Sequence, residues 1–180
     1  MKRLPRDFFD RPTLQVARDL CGQRLVRVDR SGRRRVGRIV EVEAYQGPAG
    51  DRAAHSFRGM TKRTAAMFGP PGTAYVYLIY GLHHCVNLVA RRGCAVLIRA
   101  LEPVENIAGR TSGPGLLCRA LDIDLRLNGA DLSDGTLFVE AADRPRRVGR
   151  GPRIGVDYAG PWAAKPWRFF DRDSPFVSRR

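Results

Sequence analysis

Glu43 lies two residues before Tyr45 in the run Val40-Glu41-Val42-Glu43-Ala44-Tyr45, and His55 follows after a Gly- and Pro-bearing stretch. A carboxylate set among aromatic rings and near an arginine can activate water or stabilise positive charge as it develops on a sugar. Cleavage of a glycosidic bond calls on this, because its transition state resembles an oxocarbenium ion. Glu41 is equally eligible by position, and either glutamate can instead be a surface group pairing with one of the many arginines. Four of the five tyrosines are Tyr45, Tyr75, Tyr77 and Tyr80. Aromatic faces stack on bases for roughly 1–3 kcal/mol each, and a cationic alkylated purine gains further from the ring quadrupole. Strands favour tyrosine in any case, so packing alone also accounts for these rings. Tyr80 differs because it sits beside Gly81 at an expected hairpin tip, where an aromatic can enter a base stack and fill the gap left by an extruded nucleotide.

Other reactive groups point to fewer chemistries. His83, His84 and Cys85 are adjacent, so on a strand they face alternate sides and make a poor metal-ligand set. Neither a metal nor a cofactor is expected. Lysine is confined to Lys2, Lys62 and Lys165, none with a recognisable partner to depress its pKa for Schiff-base chemistry, which argues against a lyase step.

The elements that must position these groups follow from periodicity and punctuation. A helix is expected from Asp10, whose carboxylate can cap the first turn, with Leu14, Ala17, Arg18 and Cys21 at helical spacing and Gly22 as its stop. Strands follow over Arg24 to Val28 and Val36 to Tyr45, joined by the basic turn Asp29-Arg30-Ser31-Gly32-Arg33. On the second strand Glu41, Glu43 and Tyr45 share one face, while Val40, Val42 and Ala44 share the other and form the core side. Gln46 to Arg58 reads as a loop, and Thr61 as the cap of a short helix through Met67. Ala74 to Tyr80 and a return through Cys85, Asn87 and Val89 form the aromatic hairpin. A strand is expected from Cys94 to Leu101, and a helix through Leu121 opened by Gly113-Pro114-Gly115, whose N-terminus suits a phosphate. Short strands near Leu137 to Glu140 and Ile154 to Val156 complete the set, with Arg144 to Arg153 the least structured stretch. The sum is a mixed α/β (α+β) fold, one domain over residues 1–180: a mostly antiparallel curved sheet, surrounding helices and a protruding β-hairpin.

Composition sets the partner. The 180 residues are 43% hydrophobic and carry a net charge of +14, from 32 Lys and Arg against 18 Asp and Glu. Such an excess suits a polyanion, nucleic acid or an acidic membrane surface, although an arginine-rich solvated face accounts for it too. The start has basic residues but no following apolar run, so no signal peptide is expected, and Ala74 to Leu82 is too short to span a bilayer. Cys21, Cys85, Cys94 and Cys118 are scattered and read as buried, reduced thiols of a cytoplasmic protein.

Ordered blocks along nearly the whole chain then resemble one family. Glu43-Ala44-Tyr45-Gln46-Gly47-Pro48, Ala53-Ala54-His55-Ser56, Pro71-Gly72-Thr73-Ala74-Tyr75-Val76-Tyr77-Leu78-Ile79-Tyr80-Gly81, Arg99-Ala100-Leu101-Glu102-Pro103, Gly113-Pro114-Gly115-Leu116-Leu117-Cys118 and the closing Trp162 to Ser178 are similar to the alkyladenine (3-methyladenine) DNA glycosylases. The resemblance implies a fold like the C-terminal region of formyltransferases and a monomer acting without a cofactor on double-stranded DNA from the minor groove. It implies hydrolysis of the N-glycosidic bond of flipped alkylated or deaminated purines, leaving an abasic site. By position, Glu43 looks like the catalytic carboxylate and Arg99 the arginine that positions it and its water. A guanidinium there is expected to keep Glu43 ionised at neutral pH. Tyr45, Tyr77 and His55 look like the base pocket, and Asn87 like the residue that disfavours the exocyclic amine of guanine. Tyr80 matches the minor-groove wedge and Met67 a residue beside the unpaired partner base. The sequence departs from the family pattern at His83 and His84, which replace aromatic residues, and at Phe170, where many members carry tyrosine. Two other readings stay open: a nucleic-acid-binding module without catalysis, and a member shifted to nucleotide or formylated substrates.

Overall fold

The structure, a computed structural model, describes residues 2–48 and 50–178. Its centre is one long strand, β2 (Arg34–Tyr45), preceded by α1 (Arg6–Phe9), α2 (Thr13–Leu20) and β1 (Arg24–Val28). The alternating apolar residues of β2 commit it to a buried sheet. One edge of β2 is taken along its length by β5 (Ala95–Glu105). Its other edge passes from β1, paired over residues 34–38, to β8 (Arg168–Asp171), paired over residues 41–43. Two different neighbours on one edge make the sheet branch and curl around β2. Outward from β5 lie β4 (His83–Val89) and β3 (Ala74–Ile79), and outward from β1 lies β6 (Leu137–Glu140). β7 (Val148–Gly151) pairs with β8, and every pairing between these strands is antiparallel. The architecture is therefore a mixed α/β fold built on a curled antiparallel sheet with few helices.

The main core lies under α2 and α3 (Pro114–Ala120). Val16, Ala17 and Leu20 from α2, and Leu117 and Cys118 from α3, meet Leu25, Ile39, Val42, Ala44, Ile98 and Leu101 of the sheet. The other face of β2 is also buried, because β8 and the chain after β7 cover it. Glu41 and Glu43 are consequently as inaccessible as Val42 between them.

Several elements differ from their expected form, each for a local reason. Asp10 is not the N-cap of the longer helix: it is the C-cap of α1, its N–H donating to the Arg6 carbonyl, and Pro12 takes the N-cap position of α2 without a side-chain hydrogen bond. The Thr61 to Met67 helix is a 3₁₀ turn over Ala65–Phe68, because Thr61 and Thr64 bond to each other instead of propagating a helix. Ile154 to Val156 is not a strand. The stretch expected to be least structured holds β7, where Gly149 lets the sheet close: a Cβ there would lie 2.5 Å from the Phe170 ring. Cys21, Cys85 and Cys118 are buried, whereas Cys94 is only half-buried; all four are free thiols. Among the described residues no helix is long and apolar enough to cross a membrane.

Leu101 is fully buried in the main core. Leu101→Ala is expected to lower stability by about 2–5 kcal/mol, read from the midpoint of urea unfolding at unchanged slope.

Candidate active site

A cavity of about 450 Å³ opens between the β3–β4 hairpin, the N-terminal end of α3 and the loops that follow β2 and β7. Its aromatic wall is built by register. Tyr75 and Tyr77 point the same way from β3, and their rings stack with centroids 5.5 Å apart and planes 29° apart. Tyr75 is buried and Tyr77 half-buried at the cavity surface. His55, carried by the loop after β2, sets its ring edge-on to Tyr77 with centroids 4.6 Å apart, and its Nδ1 is 3.0 Å from the Tyr75 hydroxyl. The residue is exposed overall, yet this packing desolvates the ring, and together with the Arg63 charge it pulls the His55 pKa below the ordinary value. His55 is therefore mostly neutral at pH 7.

Asn87 stands opposite Tyr75 across the β3–β4 ladder and donates from its side-chain amide to the Tyr75 carbonyl at 3.1 Å. That bond orients the amide where it lines the cavity. Met67 also lines the cavity, buried beside Tyr75 in a small cluster with Val89 and Ala95. His83 is on the cavity side of β4, and its neighbour His84 is not. At the mouth, Tyr80 is 86% exposed, and Leu82 beside it is 77% exposed. Tyr80 and Gly81 both have positive φ, 52° and 68°, and the Leu82 N–H donates to the Ile79 carbonyl at 3.1 Å. These are the features of a type I′ turn, which matches the twist of the flanking strands.

Behind the inner wall lies the carboxylate. Glu43 is 0% exposed and does not itself line the cavity; Tyr45, Arg99 and Ile154 do, and each touches it. The Tyr45 hydroxyl donates to Glu43 Oε2 at 2.9 Å, the Ile154 N–H donates to Oε1 at 2.7 Å, and Arg99 Nη1 is 3.4 Å from Oε1. Burial pushes the Glu43 carboxyl above the usual glutamate range. Arg99, the Ile154 N–H and the Tyr45 hydroxyl pull it back, and the Glu41 charge adds to the rise. Arg99 therefore offsets the burial only in part, contrary to the expectation that it would simply hold the group ionised. Tyr45 is pushed well above its usual range by burial and by the same carboxylate.

Arg99 reaches both glutamates because the β2–β5 register shifts on either side of Glu41. Val42 opposes Ile98 and Glu41 opposes Ala100, so Arg99 has no directly opposed residue, and a bulge of this kind re-aims the side chain. Its Nε is 3.5 Å from Glu41 Oε1. Glu41 is otherwise occupied: Arg168 Nη1 donates to it at 2.9 Å and the Ser178 N–H at 2.7 Å. The sequence left Glu41 and Glu43 equivalent; the structure turns Glu41 toward the C-terminal segment and Glu43 toward the cavity.

A second buried pair, which sequence reasoning missed, fixes this inner wall. Arg153 and Asp51 have fully buried side chains and form two hydrogen bonds, at 2.7 and 2.9 Å. Arg153 also donates to the Ala44 carbonyl at 3.0 Å, and its guanidinium lies over the Tyr45 and Trp167 rings at 4.7 and 4.9 Å. Asp51 in turn accepts from the Gln46 and Ala53 N–H groups. One ion pair thus ties the end of β2, the His55 loop and the segment carrying Ile154. Tyr158, exposed at the rim with its hydroxyl 3.4 Å from the Ala53 carbonyl, was likewise missed. Among the described residues no group of three or more His, Cys, Asp or Glu is placed to hold a metal.

The chain is similar to known proteins along nearly its whole length. Residues 7–175 match the sequence model of a family described as methylpurine-DNA glycosylase. A protein of Methanocella arvoryzae is 51% identical over 100% of this chain and 98% of its own length. One of Anaeromyxobacter dehalogenans is 56% identical over 98% of this chain and 87% of its own length. One of Legionella pneumophila is 49% identical over 99% of this chain and 100% of its own length. All three are provisionally named 3-methyladenine DNA glycosylases.

Arg153→Met leaves the Asp51 charge buried and alone. It is expected to cost about 3–5 kcal/mol. In a double-mutant cycle with Asp51→Asn, the combined loss is expected to be well below the sum of the two single losses, measured by denaturant unfolding.

Proposed function

The chain belongs to the methylpurine-DNA glycosylase family, and we propose that it everts an alkylated purine nucleotide from double-stranded DNA and hydrolyses its N-glycosidic bond. The observation that carries this reading is the Glu43 carboxylate, sealed behind the floor of an aromatic cavity and held by Tyr45, Arg99 and the Ile154 N–H. Membership supports the DNA glycosylase class; the substrate and the roles below are inferences from the cavity.

The purine stacks in the slot between Tyr45, Tyr77 and His55. A cationic base, such as 3-methyladenine or 7-methylguanine, gains from the ring faces and leaves without protonation. His55 suits this preference, because its lowered pKa makes it a poor proton donor at neutral pH. Neutral lesions such as hypoxanthine or ethenoadenine stack in the same slot but require protonation as they leave. Asn87 holds one amide N–H on the Tyr75 carbonyl, and its NH2 group meets the donor amine of normal guanine with no acceptor to receive it. Met67 supports the ring wall from beneath.

Glu43 acts on the sugar side. A carboxylate without surrounding water stabilises an oxocarbenium ion at nearly undiminished strength. To take a proton from the attacking water, it must exchange the Tyr45 hydroxyl on Oε2 for that water. Arg99 keeps the carboxylate aimed and lowers the cost of its ionised form. Among the described residues no lysine lines the cavity, which supports simple hydrolysis to an abasic site without a lyase step. Tyr80, bare at the hairpin tip, is the wedge that occupies the vacated stack from the minor groove. The protein acts as a monomer, since one chain supplies carboxylate, slot and wedge.

The purified protein is expected to release free 3-methyladenine from methylated DNA without added metal. Glu43→Gln abolishes release while leaving DNA binding nearly intact; turnover by this variant at the wild-type rate would disprove the assignment. Because Glu43 must be ionised and its pKa is raised, the acid limb of kcat/KM is expected to lie above the ordinary glutamate value. Tyr80→Ala is expected to weaken capture of lesions in duplex more than in single strands, as measured by paired KM determinations on the two substrates. Equal losses on both would remove the wedge.

A further inference from the structure

We propose that a groove at the far end of α3 seats the phosphate backbone of the strand that enters the cavity, a surface whose assignment rests on the DNA reading above. The groove has a volume of about 420 Å³ and is lined by Arg33, Arg35, Arg110 and Arg119, with Asn106 and Leu116 between them. Among the described residues no acidic side chain lines it.

Most of the positive charge in this groove has no acidic partner among the described residues, unlike the charge of many arginines elsewhere. Arg6, Arg34, Arg38 and Arg147 each hold a carboxylate. In the groove only Arg35 has an acidic partner among the described residues, Asp29 at 3.5 Å, and it also donates to the Ala120 carbonyl. Arg33 donates instead to the neutral Asn106 side chain at 3.4 Å. Arg110 and Arg119 are exposed, and among the described residues neither side chain has an ion pair or hydrogen-bond partner. Like charges gathered in a concave surface repel one another and focus a positive potential, a cost that an anionic partner removes.

Position then selects a strand over a small anion. Leu116 belongs to the walls of both the base cavity and the groove, and α3 runs between them. Seven helical residues span about 10 Å, which is about three phosphates of one strand at 3.4 Å each along the duplex axis. A nucleotide turned into the cavity therefore places the phosphates that flank it on one side along α3 and into the arginines. The groove lies on one side of the cavity, so its contribution to the footprint is asymmetric about the lesion.

The test is the salt dependence of binding to a duplex that carries an abasic analogue, with three nucleotides or more on each side. Arg110→Ala/Arg119→Ala is expected to reduce the magnitude of the log–log salt slope by about 2, close to 0.9 for each phosphate that is no longer neutralised. At physiological salt its Kd is expected to rise at least tenfold. Arg18→Ala/Arg147→Ala, which removes the same charge outside both cavities, should keep the wild-type slope. Trimming the duplex on the flank that reaches the groove should cost the wild type affinity that the same trimming does not cost the groove variant. An unchanged slope in the groove variant overturns the proposal, and so does an equal drop in the control, which would reduce the effect to net charge. Groove-dependent binding of inorganic phosphate with an unchanged DNA slope also overturns it, by making the groove a small-anion site. Failure of the reaction reading shows separately, as wild-type protein that releases no base from methylated DNA.

Discussion

Two carboxylates two residues apart on one strand, both without exposed surface, set the terms for everything around them. Moving such a group out of water costs several kcal/mol, and a like charge nearby raises that cost. The fold meets it with two arginines, two backbone N–H groups and one phenol, drawn from β5, β8, the C-terminal segment, the chain after β7 and β2 itself. The compensation is uneven. Glu41 receives Arg168, Arg99 and the Ser178 N–H, and so holds the outer layer of the fold onto β2. Glu43 receives a more distant guanidinium and sits higher in pKa than a free glutamate. The less satisfied of the two stands behind the cavity wall, and carboxyl groups with shifted pKa values cluster at functional sites.

Much of this frame was legible in the residues themselves. The alternation in β2, the Gly81 turn and the aromatic hairpin are local signals, and the strands and turn lie where those signals put them. Glu43, Tyr45, His55, Tyr77, Asn87 and Arg99 come from separate stretches of the chain, and the structure brings all six to one cavity or its inner wall. What stayed hidden depends on distant partners. Asp51 reads as a turn residue in a Gly-rich loop, and Arg153 as one basic residue among many, yet they meet across 102 positions and both side chains lose all exposure. A chain this rich in arginine masks an arginine whose side chain is wholly interior. Ile154 to Val156 looks like strand because isoleucine and valine favour strands, but its first N–H is claimed by the Glu43 carboxylate instead of a neighbouring strand. β8 escaped notice because arginines and aromatics near the chain end resemble surface, whereas distant partners bury it: Arg168 holds Glu41 and Phe169 packs in the main core.

The layout separates two tasks. The groups around Glu43 are interlocked, so that a change at Arg153, Asp51 or Ile154 reaches the carboxylate through Tyr45 or the backbone. The hairpin tip touches almost nothing and can vary without disturbing that interior.

That freedom at the tip has a limit set by chirality. Tyr80 occupies the left-handed backbone region, where asparagine, aspartate or glycine would rest more comfortably and a β-branched residue would suffer most. Those tolerant residues are short, and cannot fill the space of a nucleobase. For the wedge proposed at Tyr80, reach and torsional ease therefore oppose each other, and tyrosine supplies reach at the expense of ease. Valine and isoleucine would be shut out by the main chain before any contact with nucleic acid is tried.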